Sequence, residues 1–153
     1  NVIDDDTAPD PHQVRRVILC TGKVYYDLLS VREEMGVEGV ALVRVEQLYP
    51  LPETELRGIV ERYAEAEEFL WVQEEALNMG AWYFVQPLVN DILPTSMRLR
   101  YVGRDEAASP AVGDHQAHVS EQQEIVKEAL DLHSRELVLE DVNKSRSASG
   151  REY

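Results

Sequence analysis

The run Phe69-Leu70-Trp71-Val72 puts apolar side chains on both faces of an extended chain, and such a strand has to be covered on both sides. Three further runs rich in β-branched and aromatic residues recur at 14–20, 40–45 and 97–102, with stretches of helical period between them. Strand and helix in alternation call for helices on both faces of a largely parallel sheet, so the expected fold is a three-layer α/β/α sandwich. In the last run Met97, Leu99 and Tyr101 alternate with Arg98 and Arg100, so the fourth strand should carry one solvated or interface face.

The helices read as follows. The first should follow Thr21 as N-cap, bury Val24, Leu28, Val31 and Met35, and stop at Gly36. Pro52 opens the second, where Glu53 and Glu55 suit the positive end of the dipole and Leu56, Ile59, Val60 and Tyr63 form one stripe. The third spans about 81–93 with Trp82, Val85, Val89 and Ile92 together, and Pro87 should kink or divide it. The last begins at Ser120, with Gln123 completing a capping box, and turns Ile125, Val126, Ala129 and Leu130 inward.

Charge and cysteine use exclude several function classes. Twenty-nine acidic residues against 15 basic ones leave a net charge of -14, a field that repels phosphate backbones and disfavours nucleic-acid binding. Cys20 is the sole cysteine and lies in an apolar run, so it reads as a small buried hydrophobe with no disulfide or thiolate zinc site available. No apolar stretch reaches the roughly 18 residues of a membrane span. A cytoplasmic location is expected.

Motifs for turnover are missing. Thr21-Gly22-Lys23 ends like a phosphate loop, but Val17 stands where its first glycine must lie. Neither a dinucleotide-binding glycine fingerprint nor a nucleophile elbow occurs. Asp114, His115 and His118 are neighbouring donors without a defined geometry, and a structural role for His118 near the last helix is the preferred reading. The densest polar cluster, Gln73-Glu74-Glu75 with Asn78, Gly80 and Trp82, starts where the third strand ends, on the edge where α/β sheets meet ligands and neighbouring domains. Adjacent carboxylates on extended chain point apart, so a paired acid–base role is not assigned. Asn78 is read as a helix cap and Trp82 as a core or interface anchor. No catalytic and no metal-binding residue is designated.

Five segments in order then carry a resemblance: 14–29, Val43 through Pro52, Trp71 through Trp82, Leu99 through Arg104 with Ala108 to Ala111, and His118 with Glu121-Gln122. Together they resemble the C-terminal domain of the decarboxylating component of 2-oxoglutarate dehydrogenase, over about 14–130. The resemblance implies a transketolase-type C-terminal domain with a mostly parallel, mixed sheet carrying one antiparallel strand. It implies a parent enzyme that decarboxylates 2-oxoglutarate and passes succinyl to the lipoyl arm of a partner succinyltransferase, as a homodimer. Thiamine diphosphate and magnesium would be held by the preceding domains of the same chain, since the family's Gly-Asp-Gly motif is missing here. The location would be the cytoplasm, or the mitochondrial matrix in a eukaryote. Some relatives bind acyl-CoA or adenine nucleotides, which makes Lys23, Arg44 and Arg104 candidate effector contacts. Asp105-Glu106-Ala107 replaces the family's usual Pro-Ala-Ser after Arg104, and these carboxylates compete with an anion there. Gln73, Glu74, Glu75, Asn78 and Trp82 become the expected domain-contact loop.

The acidic opening through Pro11 has linker composition, so 1–13 is expected to be a linker from an upstream domain, 14–132 the domain, and 133–153 a disordered or extraneous tail. Two rival readings are a free-standing effector-binding or interaction module and the same domain of another thiamine enzyme, a transketolase or a branched-chain oxoacid dehydrogenase.

Overall fold

The computed structural model describes residues 1–8, 10–108 and 115–131, with the backbone only at His115. Five strands and four helices follow one another as β1 (Val2–Ile3), β2 (Arg16–Cys20), α1 (Val24–Met35), β3 (Val40–Val45), α2 (Glu53–Arg62), β4 (Glu68–Ala76), α3 (Trp82–Ile92), β5 (Arg100–Arg104) and α4 (His115–Leu130), with a 3-10 turn at Pro11–Gln13. The sheet order is β1-β3-β2-β4-β5. All neighbours are parallel except β1 and β3, where Val2 faces Val45 and Ile3 faces Arg44 in antiparallel register.

The two faces of the sheet divide the core. Val17, Leu19, Phe69 and Trp71 pack with Leu56, Ile59, Val85 and Val89, which places α2 and α3 on one side. Ile18, Cys20, Leu70 and Val72 pack with Val24, Leu28, Ile125 and Val126, which places α1 and α4 on the other. A fully buried side chain of this kind stabilises by about 1.5–3 kcal/mol, so apolar residues on both faces of β4 hold the three layers together. The expected three-layer α/β/α architecture with a mixed, mostly parallel sheet is the one observed.

Several local expectations change. The segment read as linker over 1–13 contributes β1 and the buried carboxylate of Asp5, which takes hydrogen bonds from Arg32 and from the Leu42 amide at 2.8 Å. Helix α1 ends at Gly36 in the left-handed region (φ 60°), but its N-cap is Lys23 rather than Thr21. Arg32 is buried while Met35 is exposed. Pro87 lies inside one continuous helix. Helix α4 starts five residues before Ser120, so the capping box read there is mid-helix sequence. The expected tail, 133–153, and Asp114 with Ser109-Pro110-Ala111 lie outside the described residues.

At the amino edge of the sheet, Arg16 is buried at the foot of β2. It donates from Nε to Glu68 Oε1 at 2.6 Å and from Nη1 to the carbonyls of Ala129 and Asp131 at 2.7 and 2.9 Å. Those carbonyls lie at the carboxyl end of α4, so one guanidinium fixes the end of the helix to the sheet. Arg100 Nη1 reaches the other Glu68 oxygen at 2.5 Å and adds β5 to the clamp.

Candidate functional site

From the central strand β2 the chain moves to β3 on one side, and later from β4 to β5 on the other. The carboxyl ends of β2 and β4 therefore flank the point where strand order reverses, where sheets of this kind open a crevice. Lys23 follows β2 and Glu74 belongs to β4, and their side chains meet across that point at 3.3 Å. A cleft of about 720 Å³ opens beside them, roofed by Arg104 to Ala107 and floored by α4.

Gln73 organises the rim. It is fully buried: its Oε1 accepts from Trp71 Nε1 at 2.8 Å and from the Trp82 amide at 3.2 Å, and its Nε2 donates to the carbonyls of Glu75 and Ala76. The Trp82 amide opens α3, whose N-cap Ala81 offers no side-chain acceptor, so Gln73 supplies the cap from the neighbouring strand. A β-carbon on Gly80 would lie 2.5 Å from the Gln73 amide, so glycine is needed for the chain to pass. Asn78, expected as a helix cap, donates to the Ala107 carbonyl at 3.0 Å and accepts from the Ala107 amide, joining two loops instead.

Arg104 and Lys23 reach the same cleft, and Arg44 does not. Arg44 lies with its guanidinium 4.5 Å from the Tyr25 ring centre and 5.9 Å from that of Tyr26, a stacked position on β3. Arg104 donates from Nη2 to His118 Nδ1 at 2.8 Å. A guanidinium only donates, so His118 Nδ1 is the acceptor and its ring proton sits on Nε2. Glu121 lies 3.2 Å from Arg104 Nε without the alignment of a hydrogen bond, and among the described residues that buried nitrogen has no hydrogen-bond partner. Seven carboxylates, among them Glu74, Asp105, Glu106 and Glu121, line the cleft against those two cations.

Of the expected contact loop, Gln73 is interior, Trp82 is half-buried with its ring 5.3 Å from that of Tyr101, Glu74 is tied to Lys23 and Gln122, and Glu75 is exposed. The exposed aromatic surface lies nearby on residues the contact loop omitted. Tyr49 is 84 % exposed, Tyr83 57 % and Phe84 40 %, and the Tyr49 and Phe84 rings stand 6.3 Å apart. Tyr49 lies between Leu48 and two prolines, a hydrophobic stretch in the long connection after β3 that no helix or strand claims, and this was the available signal. Burial first, then the charge of Glu46, pushes the Cys20 thiol up to about 12, which removes it as a nucleophile. Among the described residues no three His, Cys, Asp or Glu side chains are grouped to hold a metal, and no helix is long and apolar enough to cross a membrane.

Fold and site together define a class: a three-layer α/β domain with one antiparallel edge strand, a carboxylate-lined crevice at its switch point, and an aromatic surface beside it. The chain belongs to the 2-oxoglutarate dehydrogenase C-terminal family, whose model matches residues 1–130. It is 43 % identical over 131 residues to the 2-oxoglutarate dehydrogenase E1 component of Haemophilus influenzae, covering 86 % of this chain and 14 % of that protein. It is 42 % identical over 134 residues to the protein of the same name from Rickettsia felis, and 39 % identical over 131 residues to the oxoglutarate dehydrogenase of Buchnera aphidicola, with the same coverage in each case. The chain thus spans about a seventh of the curated relatives it matches. The family match over residues 1–130 includes β1.

Proposed function

We propose that this chain serves as the C-terminal structural and regulatory domain of an enzyme that decarboxylates 2-oxoglutarate and passes the succinyl group to a lipoyl-bearing partner. The chain's own part is to dock against the thiamine-binding domains that precede it and to support their dimer. The observation that carries this reading is the Tyr49, Tyr83 and Phe84 surface beside the switch point, since clustered exposed aromatics at a sheet's carboxyl edge mark a contact face. Thiamine diphosphate with magnesium does not fit the crevice, because among the described residues no three His, Cys, Asp or Glu side chains are grouped to hold the metal that accompanies the diphosphate. No chemical step is assigned to this chain.

A chimera tests the reading. This chain replaces the matching C-terminal seventh of the Haemophilus influenzae protein, and 2-oxoglutarate-dependent carbon dioxide release is measured. The chimera should be active, and Tyr49→Ser with Phe84→Ser should lower the release at least about tenfold, the effect of about 1.4 kcal/mol lost at a contact. An active chimera indifferent to both substitutions removes the contact face.

A second reading is favoured by the buried Arg104 Nε, a residue of the crevice lining, which has no hydrogen-bond partner among the described residues. An anionic effector of the acyl-CoA or adenine-nucleotide kind would be held by Arg104 and Lys23, with Arg44 too far round the sheet to join them. Calorimetry with acetyl-CoA and with AMP should show binding that Arg104→Gln weakens about tenfold or more, as expected for a lost charged hydrogen bond. Heat that is the same for both proteins ends this reading.

A further inference from the structure

Strand β1 covers only part of the sheet edge on which it lies: Val2 faces Val45, Ile3 faces Arg44, and there its pairing with β3 stops. Outward-facing backbone groups recur every second residue along a strand, so the next ones on this edge belong to Leu42 and Val40. Had β1 run on in register, Asp5 would stand beside Leu42. Side chains complete the ladder instead. Asp5 Oδ2 accepts the Leu42 amide at 2.8 Å, and Arg32, paired with Asp5, donates from Nη1 to the Val40 carbonyl at 3.0 Å. Thr7 holds both groups, its Oγ1 accepting from Arg32 Nη2 at 2.5 Å and donating to Asp5 Oδ1 at 2.8 Å. Asp5 and Arg32 are buried, so carboxylate and guanidinium stand in for the strand residues that β1 lacks.

The sequence of β3 shows what this arrangement prevents. Val40-Ala41-Leu42-Val43-Arg44-Val45 is aliphatic except for one arginine and contains neither proline nor glycine, the pattern of a segment that pairs with its own copies when its edge is bare. Aligned antiparallel about Leu42, two such strands set Arg44 opposite Val40, so no like charges meet. We propose that the Asp5–Arg32 pair is an edge guard, which keeps β3 from pairing with β3 of a second copy of this chain about a two-fold axis. The acid comes from the segment ahead of β2, so the edge closes only when residues 1–5 have docked. Loss of the pair bares the Leu42 amide and the Val40 carbonyl and leaves a two-residue strand as the barrier to the second copy.

Sedimentation equilibrium of two doubly substituted forms of the 153-residue chain tests this. Asp5→Val with Arg32→Met removes both hydrogen-bonding groups without stranding a charge. Asp5→Asn with Arg32→Gln removes the charges but keeps an acceptor for Leu42 and a donor for Val40. The first should reach about twice the mass of the unaltered chain or more, and the second should match the unaltered chain. Association of both, or of neither, overturns the proposal. If either form fails to fold, amide exchange at Leu42 in the unaltered chain decides. An intramolecular guard gives the same protection in dilute and in concentrated solution. A Leu42 amide that is unprotected at every concentration, or protected only in concentrated solution, overturns the proposal.

Discussion

Gln73 shows how one side chain sets the shape of a site that it does not enter. Its amide takes two protons and gives two, and each partner belongs to a different feature: the Trp71 indole in the core, the first amide of α3, and the carbonyls at the end of β4. Leucine at this position keeps the volume and strands the indole N–H and the α3 amide. Each stranded buried group costs about 1–3 kcal/mol. Gln73→Leu should therefore lose about 2–6 kcal/mol in urea unfolding, and Glu75→Gln, on the exposed side of the same loop, should lose less than about 0.5 kcal/mol. Equal effects would show that Gln73 does not organise the rim. Sequence placed this residue in a contact loop because a polar side chain after Phe69-Leu70-Trp71-Val72 reads as the end of a strand, whereas β4 continues to Ala76 and keeps Gln73 inside.

Asp5 joins three elements, since its carboxylate holds Arg32 of α1 and the Leu42 amide of β3 and lies just beyond β1. Burial pushes its pKa up, but hydrogen bonds from Arg32, Leu42 and Thr7 together outweigh that and hold the carboxyl below its ordinary value of 3.8. A depressed folded pKa contributes stability that is present above pH 3.8 and is lost as pH falls through the folded value. Asp5→Asn leaves Arg32 buried without its counter-charge and should cost about 3–5 kcal/mol at pH 6. Urea midpoints should show the gap between parent and variant narrowing as pH drops below 3.8, and a gap that stays constant below that pH would contradict the pairing. The four main strands and α1 to α3 were legible in sequence because hydrophobic period and the stop at Gly36 are local signals. This arrangement was not, because Asp5 and Arg32 are 27 positions apart and a two-residue strand has no period to read. Likewise Ser120 and Gln123 have cap spacing, yet α4 had already begun at His115.

On the scale of the whole molecule, a charge of -14 gathers in part around the crevice at the switch point of the sheet. Seven carboxylates there set a negative potential, and the two cations that could offset it are engaged: Lys23 with Glu74, and Arg104 with His118 and Glu121. A dianionic diphosphate entering the crevice would have to displace these pairs, and a magnesium ion escorting it would find no grouped set of donors among the described residues. A ligand of the native state present at a hundred times its Kd raises stability by about 2.7 kcal/mol, or about 5–10 °C in Tm for a chain of this size. Saturating thiamine diphosphate with magnesium should therefore leave the Tm of the 153-residue chain where magnesium alone leaves it. The magnesium control matters because an acidic surface attracts the cation without building a site for the cofactor. A saturable rise with the pair beyond that control would place cofactor binding in this domain and move the chemistry to the crevice, against the docking role proposed for it.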